Sequence, residues 1–191
     1  MRLFVAIRIP EETRESLHGA LEPMREGGYP VRWTDPDRYH LTLKFLGSVR
    51  PEAVPVVAGV LRRVARETPP FRIELSRFGA FPTIRRPRVL WVGADPSPAL
   101  RCLKQDLEWG LAAHGFQRET QAFHPHVTVG RARENEGAGA FRDLDDTGER
   151  VGLSQGFRLE SMALVRSSPG KGGMIHRTLE EAPLGRSGVP D

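Results

Sequence analysis

Cysteine occurs once in this chain of 191 residues, at Cys102. A single thiol excludes an internal disulfide framework and any cysteine-based metal cluster, and it fits a reducing compartment. Because Cys102 falls inside a helical pattern, it is expected to pack in the core. Long hydrophobic runs are absent too: none approaches the roughly 20 residues that cross a bilayer, so no membrane partner is expected. Met1 to Ile7 run directly into charged Arg8 without the apolar stretch and small-residue cleavage site of a secretory leader, and the expected location is the cytoplasm. Lysine is scarce. Of 28 basic residues only Lys44, Lys104 and Lys171 are lysine, and the net charge is a modest +4.

What remains is an ordinary globular composition, 39% hydrophobic and 27% charged, long enough to bury a real core. The arginine excess has two readings. Guanidinium groups grip phosphate through a planar fork, which fits an anionic partner such as RNA; a GC-rich coding bias produces the same excess, and composition does not separate the two.

One pattern organises the chain. His40-Leu41-Thr42-Leu43 recurs as His126-Val127-Thr128-Val129, 86 residues later. Random placement of so few histidines and threonines yields less than one such match. In a strand, side chains two apart share a face, so each copy buries its aliphatic pair and offers an imidazole and a hydroxyl on the other side. The two copies, one in each half of the chain, predict two similar lobes across a cleft.

Alternation predicts strands at 2–9, 31–34, 39–46, 71–75, 89–92, 126–130, 157–166 and 174–180. Helical spacing predicts one helix from Pro10 to Met24, with Leu17, Ala20, Leu21 and Met24 as its stripe, and others at 52–66 and 98–113. A loop rich in Pro and Arg should precede Val89, residues 134–150 should form a flexible loop or lid, and 183–191 a loose tail. Strands and single helices without a uniform βαβ repeat indicate an α+β fold of mainly antiparallel sheet.

Two histidines facing one cleft suit phosphoryl chemistry near neutral pH, one as base and one as acid. Thr42 and Thr128 can donate hydrogen bonds to non-bridging phosphate oxygens, and Arg131 adds a charge-assisted contact. This scheme needs no cofactor and no metal. His124 joins no set of ligands at metal-binding spacing and is assigned to packing or the groove wall. Arg85, Arg86 and Arg88 form a basic loop that could track an RNA backbone, and Trp33 or Trp91 could stack on a base, or line the core or the groove wall.

The contexts Tyr39-His40-Leu41-Thr42-Leu43-Lys44-Phe45-Leu46-Gly47 and Phe123-His124-Pro125-His126-Val127-Thr128-Val129-Gly130-Arg131 resemble the 2H phosphoesterase superfamily. Within it the chain is most similar to the RNA 2′,3′-cyclic phosphodiesterases, also called 2′-5′ RNA ligases. The likeness extends to Phe4 and Ala6, to Phe78-Gly79-Ala80-Phe81-Pro82 and to Arg88-Val89-Leu90-Trp91-Val92-Gly93. The resemblance implies a single bilobal domain over 1–191 with two pseudo-symmetric lobes, helices packed outside and a central groove; a monomer is expected. It implies hydrolysis of an RNA 2′,3′-cyclic phosphate to a 2′-phosphomonoester, and an ATP-independent RNA-joining reaction that resembles the same chemistry run backwards. By the same resemblance His40 is the proton donor, His126 the proton acceptor, and Thr42, Thr128 and Arg131 hold the phosphate. His176 stands where the family often has tyrosine. Two other readings stay open: a non-catalytic module that binds RNA ends or nucleotides, and a phosphodiesterase for small cyclic nucleotides or ADP-ribose cyclic phosphate.

Overall fold

A computed structural model describes residues 1–134, 139–170 and 173–185. Its strands are β1 (Arg2–Arg8), β2 (Val31–Trp33), β3 (His40–Ser48), β4 (Phe71–Thr83), β5 (Arg86–Ala94), β6 (His126–Ala132), β7 (Gln155–Leu159), β8 (Ser161–Gly170) and β9 (Gly173–Pro183). The helices are α1 (Glu11–Ala20), α2 (Glu22–Glu26), α3 (Val54–Glu67), α4 (Pro98–Ala112) and α5 (Leu144–Arg150). All strands join one antiparallel sheet in the order β7-β4-β5-β6-β3-β1-β8-β9, with β2 paired to β6.

The two motif strands meet at the centre, where Leu41 of β3 lies opposite Val127 of β6. To one side β3, β1, β8 and β9 form the His40 lobe; to the other β6, β5, β4 and β7, with β2, form the His126 lobe. The expected alternation holds in both motifs: Leu41, Leu43, Val127 and Val129 are all buried in the main core. The helices cover that apolar face. Leu100, Leu103, Leu107 and Leu111 line one side of α4 and Val57, Leu61 and Val64 one side of α3, each fully buried leucine contributing about 1.5–3 kcal/mol.

The lobes do not correspond to halves of the chain. From β1 in the His40 lobe the chain runs to α1, packed against β7 of the other lobe, and β2 pairs with β6 immediately before β3 returns. Helices α3 and α4 pack together behind the His40 lobe, yet β4 and β5 lie between them in sequence. Periodicity identifies each element but carries no information about its distant partner. The strand expected at 157–166 is likewise two strands. Glu160 alone separates β7, at one edge, from β8, next to the other edge, so the sheet must curl until these strands follow one another end to end.

Other expectations change in detail. The first helix is interrupted at Leu21, because Pro23 at the start of α2 has no amide to donate into α1; Leu17, Leu21 and Met24 still form one buried stripe. Where a loop before Val89 is expected, β4 and β5 form a long hairpin. The expected 134–150 loop contains α5, whose Leu144 is buried, whose Thr147 hydroxyl meets that of Tyr29 at 3.0 Å, and whose Gly148 abuts Phe78. This segment therefore packs on the core side of β4, and the rest of that expectation, residues 135–138, lies outside the described residues. The start of the expected tail is anchored as well: Leu184 is buried, and the Gly185 amide donates to the Ala65 carbonyl at 2.9 Å. Residues 186–191 of the tail also lie outside the described residues. Cys102 is exposed on α4, because the buried stripe passes through Leu100 and Leu103 and leaves position 102 on the outer side.

Candidate active site

Carrying the Leu41–Val127 register one residue each way sets His40 opposite Thr128 and Thr42 opposite His126. An antiparallel pair has a local twofold axis, and here that axis relates histidine to histidine and threonine to threonine. The structure thus brings all four side chains to one face of the sheet at its centre, each of them half-buried.

Arg131 is five residues beyond His126, an odd spacing that in an unbroken strand would put it on the opposite face. A β-bulge corrects this. Leu90 pairs with Gly130 but Trp91 pairs with Thr128, so Val129 is an extra residue, and the strand is out of phase by one. Val129 and Gly130 both face the core, and Arg131 returns to the histidine face opposite Val89. Strand β3 carries the same device at the same place. Val5 pairs with Lys44 and Ala6 with Thr42, leaving Leu43 extra and turning Phe45 to the groove, where it is 68% exposed.

Both imidazoles are held alike. Nδ1 of His40 lies 2.7 Å from the Arg38 carbonyl, and Nδ1 of His126 lies 2.7 Å from the His124 carbonyl. A carbonyl only accepts, so each Nδ1 carries a proton and donates it there, leaving Nε2 as the atom that takes or gives a proton. His124 is exposed and contributes this carbonyl rather than core packing.

The walls around the two rings differ. Phe4 lies 5.2 Å from His40 and 5.1 Å from His176, and His176 meets His40 edge-on at 5.1 Å. Phe4 also joins Ala6, Ala163 and Val165 in a small apolar cluster separate from the main core. Around His126 stand Phe81, edge-on at 5.2 Å, and Trp91 at 6.2 Å. The Trp91 indole lies across Gly79, where a Cβ would come within 2.4 Å of the ring, and its buried Nε1 has no hydrogen-bond partner among the described residues. Trp33, by contrast, packs on the core side against Gly130. Arg85, Arg86 and Arg88 are exposed at the β4–β5 hairpin tip, toward the Arg131 end of the groove.

Burial lowers the pKa of His40, the positive charge of His126 adds to that effect, and the hydrogen bond to the Arg38 carbonyl opposes it. His176 is lowered by burial, then by the charges of His40 and Arg38. Both rings of the His40 lobe are therefore shifted in the direction of the neutral form.

A buried ionic cluster underlies β3. Lys44 Nζ donates to Glu108 Oε2 at 2.6 Å and to the Gln117 carbonyl at 2.8 Å, while Lys104 bridges Glu108 and Glu119. Burial alone would raise the Glu108 pKa; the hydrogen bonds from Lys104 and Lys44 outweigh it and hold the carboxyl below its usual range. The cluster ties the segment leading into β6 to the strand carrying His40.

The four motif side chains and Arg131, named from the sequence, lie on one face of the sheet; Phe45, which shares that face, was not named, and its signal is its position five residues after His40, matching Arg131 after His126. It also passed over Arg32, which lies opposite Arg131 on β2.

Residues 12–171 match the family model described as the 2′-5′ RNA ligase superfamily. The RNA 2′,3′-cyclic phosphodiesterase of Thermotoga maritima is 31% identical over 171 residues, covering 88% of this chain and 90% of that protein. That of Aeropyrum pernix is 35% identical over 167 residues, 84% of this chain and 90% of its own length. Among solved structures, TT0787 of Thermus thermophilus aligns with a TM-score of 0.81 at 29% identity, covering 98% of this chain and 100% of that one. Escherichia coli LigT complexed with 3′-AMP aligns at 0.73 and 26% identity, covering 96% and 97%.

Proposed function

The chain belongs to the 2′-5′ RNA ligase superfamily, and on that premise we propose that it hydrolyses RNA 2′,3′-cyclic phosphate ends to 2′-phosphomonoesters by two-histidine acid–base catalysis. The observation that carries the reading is the twofold-related pair of imidazoles, each with Nδ1 committed to a carbonyl and Nε2 left for chemistry, and each facing a threonine across the central strands.

Nε2 of neutral His126 takes a proton from water as the water oxygen bonds to phosphorus. The bond from phosphorus to O3′ breaks opposite it, and Nε2–H of protonated His40 delivers its proton to O3′, leaving the phosphate on O2′. Thr42 and Thr128 hydroxyls donate to the non-bridging oxygens, where negative charge must be held, and Arg131 adds a guanidinium contact. Burial of His40 suits it to release its proton, because a lowered pKa makes the imidazolium a stronger acid. An RNA 5′-hydroxyl in place of water would yield a 2′-5′ junction by the same transfers, without ATP. The reading treats residues 1–191 as one bilobal domain, since neither lobe is a continuous piece of chain.

The test is an oligonucleotide ending in a 2′,3′-cyclic phosphate, incubated in EDTA without ATP with wild type, His40→Ala and His126→Ala. A 2′-phosphate formed by wild type alone is expected. An intact cyclic end that is nevertheless bound would instead favour the binding-module reading, and cleavage confined to small cyclic phosphates would change the substrate.

A further inference from the structure

Arg32 and Arg131 face each other directly across the β2–β6 pair. Their side of the sheet is fixed independently: Val31 and Trp33 cover Gly130 on the core face, so Arg32, between them, points the other way. That is the face to which the β6 bulge returns Arg131, and the face of His126 and Thr128. Both guanidinium groups are exposed, and among the described residues neither has a carboxylate partner. Like charges directly opposite on neighbouring strands destabilise a sheet. A pair left uncompensated beside a site for phosphate chemistry calls for an anion to bridge it.

We propose that Arg32, with Arg131, seats a second phosphate of the substrate: the phosphodiester on the 5′ side of the terminal nucleoside. The inference rests on the hydrolase reading given above. Arg131, beyond Thr128 on β6, reaches the reacting phosphate on one side; Arg32 lies opposite it on β2, which shares with β3 the edge of β6 away from β5, so across about 4.8 Å of sheet the two guanidinium groups flank the position next to the His40–Thr128 pair, where the next anion along the chain would lie. At an RNA 3′ end carrying a cyclic phosphate, the terminal nucleotide has one neighbouring phosphate, and it is on its 5′ side. Two planar forks on adjacent strands suit that geometry. The seat selects the end of an RNA chain over a lone nucleoside cyclic phosphate.

The experiment compares adenosine 2′-monophosphate with adenosine 2′,5′-bisphosphate by calorimetric titration, in wild type, Arg32→Gln and Arg32→Lys. Wild type should bind the bisphosphate about tenfold more tightly, as a charge-assisted phosphate contact gives, with the gain shrinking as salt rises. Arg32→Gln should cut the gain to below about twofold, with Arg32→Lys between them because it keeps the charge without the fork. No gain in wild type, or a full gain surviving in Arg32→Gln even if both affinities fall, overturns the seat. Hydrolysis of adenosine 2′,3′-cyclic phosphate by wild type is followed in parallel. Absent turnover with the gain intact sinks the hydrolase reading and leaves the seat standing; turnover without the gain does the reverse.

Discussion

Three and four residues beyond His40 stand Leu43 and Lys44; three and four beyond His126 stand Val129 and Gly130. Both pairs form the bulge that re-phases a motif strand, and both turn the fifth residue to the groove. There the likeness stops. The His40 lobe presents Phe45, with Phe4 and His176 behind it, whereas the His126 lobe presents Arg131 with Arg32 alongside. The neighbouring segments differ in the same sense. Beside Gly130 lies β2, held by backbone pairing and by the Thr34 amide donating to the Val129 carbonyl at 2.9 Å; beside Lys44 lies 117–119, held by buried ions. The His-Thr faces are repeated while their surroundings diverge, and on the proposed function that divergence suits a substrate with a phosphate at one end and a nucleoside at the other.

The sharpest test of the repeated part is to break each copy. On the proposed mechanism His40→Ala and His126→Ala should each lower kcat by about 10²–10⁴-fold, read as loss of the cyclic end from an oligonucleotide. A fall for one variant and near-normal turnover for the other would show that only one lobe does proton chemistry.

The anchoring asymmetry predicts a stability effect confined to the His40 lobe. Glu108→Ala leaves buried Lys44 without a carboxylate, with only the Gln117 carbonyl to accept from it, and takes one of the two carboxylates from Lys104; it should cost about 3–5 kcal/mol, measured by urea unfolding. The wild-type Glu108 carboxyl has a folded pKa below its unfolded value. Its contribution is therefore complete above the unfolded carboxylate range and is lost as pH falls through the folded pKa. Acid should close the gap between wild type and variant, and a gap independent of pH would deny the cluster its ionic character.

The groove asymmetry is tested by making the lobes alike. Arg131→Phe places in the His126 lobe the residue type that stands at the matching position of the other, and should lower kcat/KM about 10–100-fold, the worth of a charge-assisted contact to phosphate. An unchanged kcat/KM would remove Arg131 from the phosphate site.

Sequence alone made the motif faces legible because strand alternation is local: Leu41 and Val127 in, His40 and His126 out, follows from parity. Parity also fails locally, and for a physical reason. A bulge is defined by the partner strand, so nothing within 126–131 announced that Arg131 would return to the histidine face. The buried Lys44–Glu108 bond spans 64 residues and reads in sequence as two unrelated charges in apolar patterns. Glu160 was invisible for a similar reason, since the polar residues Arg158 and Glu160 alternate with apolar ones as within one strand, while the two strands they span pair in opposite lobes.

The smallest effect bears on how closely the lobes cooperate. The His40 pKa is lowered by burial first and by the charge of His126 as well. In His126→Gln the burial stays and the charge goes, so the His40 titration, followed by NMR of its imidazole C–H, should move upward while staying below the usual histidine value of about 6.5. On the proposed mechanism His40 must be charged for turnover, so the activity of wild type should decline as pH rises through that lowered pKa. An unmoved His40 titration in His126→Gln would mean that the rings do not sense each other, and two imidazoles that share no field would be poorly placed to share one phosphorus.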